Sequence, residues 1–116
     1  MFTSPQQLID ELNKLPNKIR TQELLVVEAE NKLDEAKLEF DVEFGMFLVA
    51  SSRPNATEKK SEAVGFSKNS AKKLLEAKYN LKKEQAGLNY VENRFISLRK
   101  IASLEEKLIN SNLSGR

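Results

Sequence analysis

The sequence predicts an all-α fold: a long antiparallel helical hairpin of coiled-coil type with a short N-terminal helix in front of it. Three observations carry this. The 116 residues hold only four Gly and three Pro, and 31% are charged, a balance rich in Leu, Ala, Glu and Lys that suits long helices and leaves few turns for strands. Apolar residues recur every seven positions in two Pro-free stretches. Between those stretches lies one strong cluster of helix breakers, Ser51-Ser52-Arg53-Pro54-Asn55. The length fits one domain, since a second independent core would need more apolar surface than the chain has.

The elements follow in order. Ser4-Pro5 reads as a helix start, with Ser at the N-cap and Pro at the first helical position, where its missing N–H costs nothing. A short helix over 4–15 then carries Leu8, Ile9, Leu12 and Leu15 on one face. Pro16 removes an amide and crowds the preceding turn, so a kink or short turn is expected at 14–18. The first arm runs over 18–51 with Ile19, Val26, Leu33, Phe40 and Phe47 on one heptad position and Ala29, Ala36 and Ala50 three later. A turn over 52–56 follows, with Asn55 and Glu58 as a capping box that restarts the helix, or Thr57 as the cap. The second arm runs over 57–110, with Leu74, Leu81, Leu88, Phe95, Ala102 and Ile109 on one seam position, Ala77, Val91 and Leu98 on the other, and Gly65 as a weak point. The polar tail over 111–116 should fray.

Folding back about residues 53 and 54 pairs the two seams through positions whose numbers sum to about 107. Leu33 then meets Leu74, Val26 meets Leu81, Ile19 meets Leu88 and Leu12 meets Phe95. Apolar residues also fall outside this seam, among them Leu25, Leu38, Val42, Phe66, Leu75 and Ile96. They require another surface, and a homo-oligomer built through helix faces is the expectation.

The composition excludes much chemistry. Without Cys or His there is no thiolate or imidazole to bind zinc, attack a carbonyl or relay a proton. No Gly-rich phosphate loop occurs, and Asp34-Glu35 and Glu105-Glu106 read as solvated helix faces. No enzyme activity, catalytic residue, metal, cofactor or small-molecule substrate is expected. The start, Met1-Phe2-Thr3-Ser4-Pro5, shows no secretion signal, and no apolar run approaches the length of a membrane span. Lack of Cys fits a reducing cytoplasm.

Charge is segregated between the arms. From Gln22 to Phe44 eight acids face two bases, and from Arg53 to Lys83 nine bases face three acids. Much of this charge can flank the seam and select the antiparallel partner. A subset has a second use: Lys68, Lys72, Tyr79, Lys83, Tyr90 and Arg94 share one face of the second arm, turned away from Leu74. Cations spaced for phosphates and aromatic rings available to stack bases make a platform for single-stranded nucleic acid. Packing of the two tyrosines against a third helix or another subunit is the competing use.

From Thr57 onward the chain resembles the phage recombination mediators typified by UvsY, through Glu58-Lys59-Lys60-Ser61-Glu62, the Lys-punctuated helix after it, and Arg99-Lys100-Ile101. The resemblance covers about half of the chain. It implies an oligomeric accessory protein that binds single-stranded DNA and loads a recombinase in place of single-strand-binding protein, in the host cytoplasm where it is phage-encoded. The family carries bases shortly before the hairpin turn. Here that stretch looks like Glu43-Phe44-Gly45-Met46-Phe47, and only Arg53 keeps the basic character. The alternative function is a structural coiled-coil adaptor or assembly chaperone that binds proteins only.

Overall fold

A computed structural model describes residues 4–114, with side chains described through Ser111. Three helices follow one another: α1, Pro5–Ala50; α2, Ala56–Phe66; and α3, Lys68–Ser114. No strand occurs among the described residues, and no described helix is long and apolar enough to cross a membrane. The described residues form two compact units, one of residues 4–24 with 85–114 and one of residues 25–84. In each, α1 lies antiparallel against the returning arm.

The heptad seam is the buried stripe. In the 25–84 unit Val26, Ala29 and Leu33 are buried on α1, while Phe40, Leu74, Ala77 and Leu81 are half-buried. In the other unit Leu8, Leu15 and Leu98 form the core, with Leu12, Phe95 and Ala102 packed around it. Ile19, Leu88 and Val91 are half-buried there. Only the seam ends, Ala50 and Ile109, are exposed.

Three expectations about the helices need correction. No turn interrupts 14–18, and the short helix expected over 4–15 is the first part of α1, with Pro16 inside it. Leu12 and Leu15, in the turn before Pro16, pack against α3 and hold the backbone helical. Pro16 itself faces solvent, where water can satisfy the carbonyl of Leu12 that has lost its amide partner. A proline in a helix interior costs about 3 kcal/mol. Pro16→Ala should therefore raise the unfolding free energy by about 1–3 kcal/mol, part of the gain being lost to a freer unfolded chain. Thermal unfolding followed by circular dichroism checks this, and an unchanged midpoint would mean that the helix is already broken at this point.

The second arm is two helices, broken at Ser67 and not at Gly65. The Ser67 N–H and hydroxyl both donate to the Ala63 carbonyl, at 2.9 and 2.5 Å, and this side-chain bond to the preceding turn bends the backbone. The expected tail over 111–116 is helical through Ser114, and residues 115 and 116 lie outside the described residues.

The caps are as the residues imply. Ser4 Oγ accepts from the Gln7 N–H, and Asn55, in extended backbone, accepts from the Glu58 N–H at 2.8 Å. Asn55 rather than Thr57 is the cap of α2. The pairing register near the turn differs from the expected one. Phe47 stacks on Phe66, Ser70 donates to Glu43 and Lys73 meets Glu39, so contacting numbers sum to 112 or 113 instead of 107. Ser51 bonds Glu62. The end of α1 therefore comes level with the second turn of α2, and the loop over 51–55 lies to one side of the midpoint of the pairing.

Candidate nucleic-acid interface

The interface is built on α3, whose inner edge is fixed by Leu74, Ala77 and Leu81. At 100° per residue, five positions from Leu74 turns the chain to the far side of the helix, and there stands Tyr79, 67% exposed. Within the 25–84 unit Lys68, Lys72, Tyr79 and Lys83 share this outer face, all exposed. Lys72, Leu75, Glu76, Tyr79 and Asn80 line a shallow groove along it. Glu76 is the one carboxylate in that groove.

The lysines differ in what holds them. Lys73 reaches across to Glu39 at 3.4 Å. Both partners are more than half exposed, so the pair is worth only about 0.2–1 kcal/mol. Lys68, Lys72 and Lys83 have no ion-pair partner among the described residues. Most of the segregated charge is thus not spent on cross-helix pairs, and the outer cations are available to an external anion.

Two of the sequence-derived candidates serve the fold. Arg53 binds Glu62 through Nε at 3.1 Å, and the same carboxylate oxygen accepts from the Ser51 hydroxyl. The Arg53 N–H in turn donates to Ser51 Oγ. This closes the loop between α1 and α2, so Arg53 is a staple of the turn. In the other unit Arg94 donates through Nε to Glu11 at 2.5 Å. That hydrogen bond, aided by the attraction of the opposite charges, holds the Glu11 carboxyl below the usual carboxylate range and raises the Arg94 guanidinium. Tyr90, in the same unit, is 67% exposed. The candidates brought together on one exposed face are Lys68, Lys72, Tyr79 and Lys83, the three lysines without an ion-pair partner among the described residues.

Sequence reasoning missed the small residues that let the arms approach near the turn. Ala63, Ser67 and Ser70 are all buried and continue the Leu74 seam at intervals of three and four. They are small, so α1 comes close enough for Glu43 to accept the Ser70 hydroxyl. The extension of the seam spacing below Leu74 was the available signal, masked because two of the three positions are serine. No group of three or more acidic residues that could hold a metal ion occurs among the described residues.

Fold and surface together define the class as an all-α protein of antiparallel helix pairs with chemically distinct outer faces. Compared with known proteins, the chain matches no family model, no curated protein and no solved structure.

Proposed function

We propose that this protein is a non-enzymatic, single-stranded-DNA-binding accessory protein of phage-type homologous recombination, a mediator that helps load a recombinase in place of single-strand-binding protein. The observation that carries the DNA part is the outer face of α3, where three lysines without an ion-pair partner among the described residues flank an exposed tyrosine. Lysines on one helix offer charge to phosphates and no base code, so recognition is independent of sequence. Tyr79 supplies a π-face that any unpaired base can stack on. The recombination part rests on the resemblance from Thr57 onward. The protein would act in the cytoplasm, that of the host where a phage encodes it.

A titration of a fluorescent thirty-nucleotide oligonucleotide tests the reading. Three phosphate contacts per chain give a slope of about −2 in log affinity against log salt, taking about 0.7 per contact for single strands. Affinity should then fall roughly 15-fold between 50 and 200 mM salt. No binding at 50 mM, or equal preference for duplex of the same length, would remove the proposal.

A second reading is favoured by a different observation. Leu38, Val42, Met46 and Val49 of α1 are all more than half exposed, which suits an adaptor whose partners are proteins. In that case oligonucleotide leaves the protein unbound at low salt.

A further inference from the structure

The 25–84 unit has two outer faces that are chemical complements. On α1, Leu38, Val42, Met46 and Val49 stand at intervals of four, four and three, so they form one stripe on the side opposite Ala29 and Leu33. Val49 is 86% exposed, and the four side chains together make a contiguous apolar stripe, the kind of surface that marks an interaction site. Leu38, Val42 and Met46 line one shallow apolar groove with Glu35 on its rim. Val42, Gly45, Met46 and Val49 line the next, with Asp41 beside them. Glu35 and Asp41, with Asp34 nearby, have no ion-pair partner among the described residues. The outer face of α3 repeats the pattern with the charge largely inverted: Leu75 and Tyr79, four apart and about two-thirds exposed, stand among Lys68, Lys72 and Lys83, with Glu76 the one carboxylate in their groove.

We infer that the acid-flanked apolar face of α1 docks on the lysine-flanked Leu75 and Tyr79 face of α3 in a second copy of this chain. Charge selects this pairing. An α1 face against another α1 face sets carboxylates against carboxylates, and two α3 faces set lysines against lysines, whereas α1 against α3 neutralises both. Shape agrees, because residues four apart on both helices form ridges that interdigitate. Gly45 adds a notch. A Cβ placed there meets nothing within 4 Å of the chain's own atoms, so no contact inside the chain requires glycine at this position. Glycine within a helix costs about 0.5–1 kcal/mol relative to alanine. The gap between Val42, Met46 and Val49 accepts the Tyr79 ring of a second copy.

Each copy carries one face of each kind, so the contact is head-to-tail and builds a ring or an open chain. It goes beyond the DNA reading and stands without it. Where both hold, the carboxylates of α1 occupy the place of phosphates, and single-stranded DNA and a second copy compete for the same lysines.

Sedimentation velocity of the full chain, with Val42→Asp and Tyr79→Asp variants, tests the contact. Wild type should sediment above the 13.2 kDa chain mass at roughly 100 µM, where even a weak dissociation constant of that order leaves much of the protein associated. Each variant alone should fall to the chain mass with unchanged helicity, since both positions are exposed. An equimolar mixture should form a one-to-one dimer and nothing larger, because Val42→Asp keeps its α3 face and Tyr79→Asp keeps its α1 face. A monomeric wild type, or a mixture that stays monomeric, overturns the inference. Val42→Asp should bind oligonucleotide at least as tightly as wild type. If the mixture dimerises while no form binds oligonucleotide, the docking stands and the DNA reading falls.

Discussion

Replacing Leu15 with alanine should lower the unfolding free energy by about 2–4 kcal/mol, the usual cost of deleting a fully buried leucine side chain beyond Cβ. Leu15 is 1% exposed and forms a core with Leu8 and Leu98, ringed by Leu12, Phe95 and Ala102. The neighbours belong to two long helices whose backbones cannot collapse locally into the space, so a cavity remains and the dispersion contacts of its lining are lost. For a domain with about 5–15 kcal/mol in hand, such a loss is a large fraction of the total. Urea unfolding followed at 222 nm measures it as a lower midpoint at constant slope. Leu38→Ala is the matched control: the same atoms are deleted at a site 65% exposed, so within the single chain the change stays inside about 0.5 kcal/mol. Equal effects at both positions would mean that the buried stripe has been assigned to the wrong face.

How far the fold can be read from the sequence depends on how each feature is encoded. The seam is encoded repeatedly, by Ile19, Val26, Leu33 and Phe40 on one arm and Leu74, Leu81, Leu88 and Phe95 on the other, and all eight are buried or half-buried. A heptad repeated four times is hard to satisfy by accident, and the burial it requires follows from helix geometry alone. Single-residue signals are weaker because context decides them. Pro16 is a helix breaker by local chemistry, yet packing of Leu12 and Leu15 on α3 outweighs the missing hydrogen bond. Ser67 has no strong local preference, and the bend between α2 and α3 falls where its hydroxyl donates to the Ala63 carbonyl. Register near the turn was hidden for the same reason: it is set by the geometry of the loop from Ser51 to Asn55, which no periodicity records.

The outer α3 face was legible as a pattern, but the sequence could not say which of its cations were free. Arg53 and Arg94 look equivalent to Lys72 and Lys83 in a list of charges. In three dimensions Glu62 holds the first and Glu11 the second. An arginine placed beside a carboxylate forms a directed, charge-assisted bond that a solvated lysine need not make. The division of labour is therefore physical: Glu62 and Glu11 hold Arg53 and Arg94 within the fold, whereas Lys68, Lys72 and Lys83 of α3 have no ion-pair partner among the described residues.

The Lys72→Glu, Lys83→Glu double variant tests that division. Lysine and glutamate have nearly equal helix propensity and both sites are exposed, so helicity and unfolding midpoint should stay close to wild type. Oligonucleotide affinity at 50 mM salt should fall by at least about 30-fold, because two of three phosphate contacts are lost and two carboxylates repel the strand. The salt slope should collapse from about −2 towards zero. A change in total charge alone would also weaken binding, so the comparison that matters is a Lys78→Glu, Lys100→Glu variant of identical net charge. Lys78 is exposed but stands about 100° around α3 from Tyr79, and Lys100 lies in the other unit. If binding is a property of the Lys72, Tyr79 and Lys83 face, the second variant loses no more than a few-fold. Equal losses in the two variants would mean that the strand responds to the overall field of the protein and that no defined platform exists on α3.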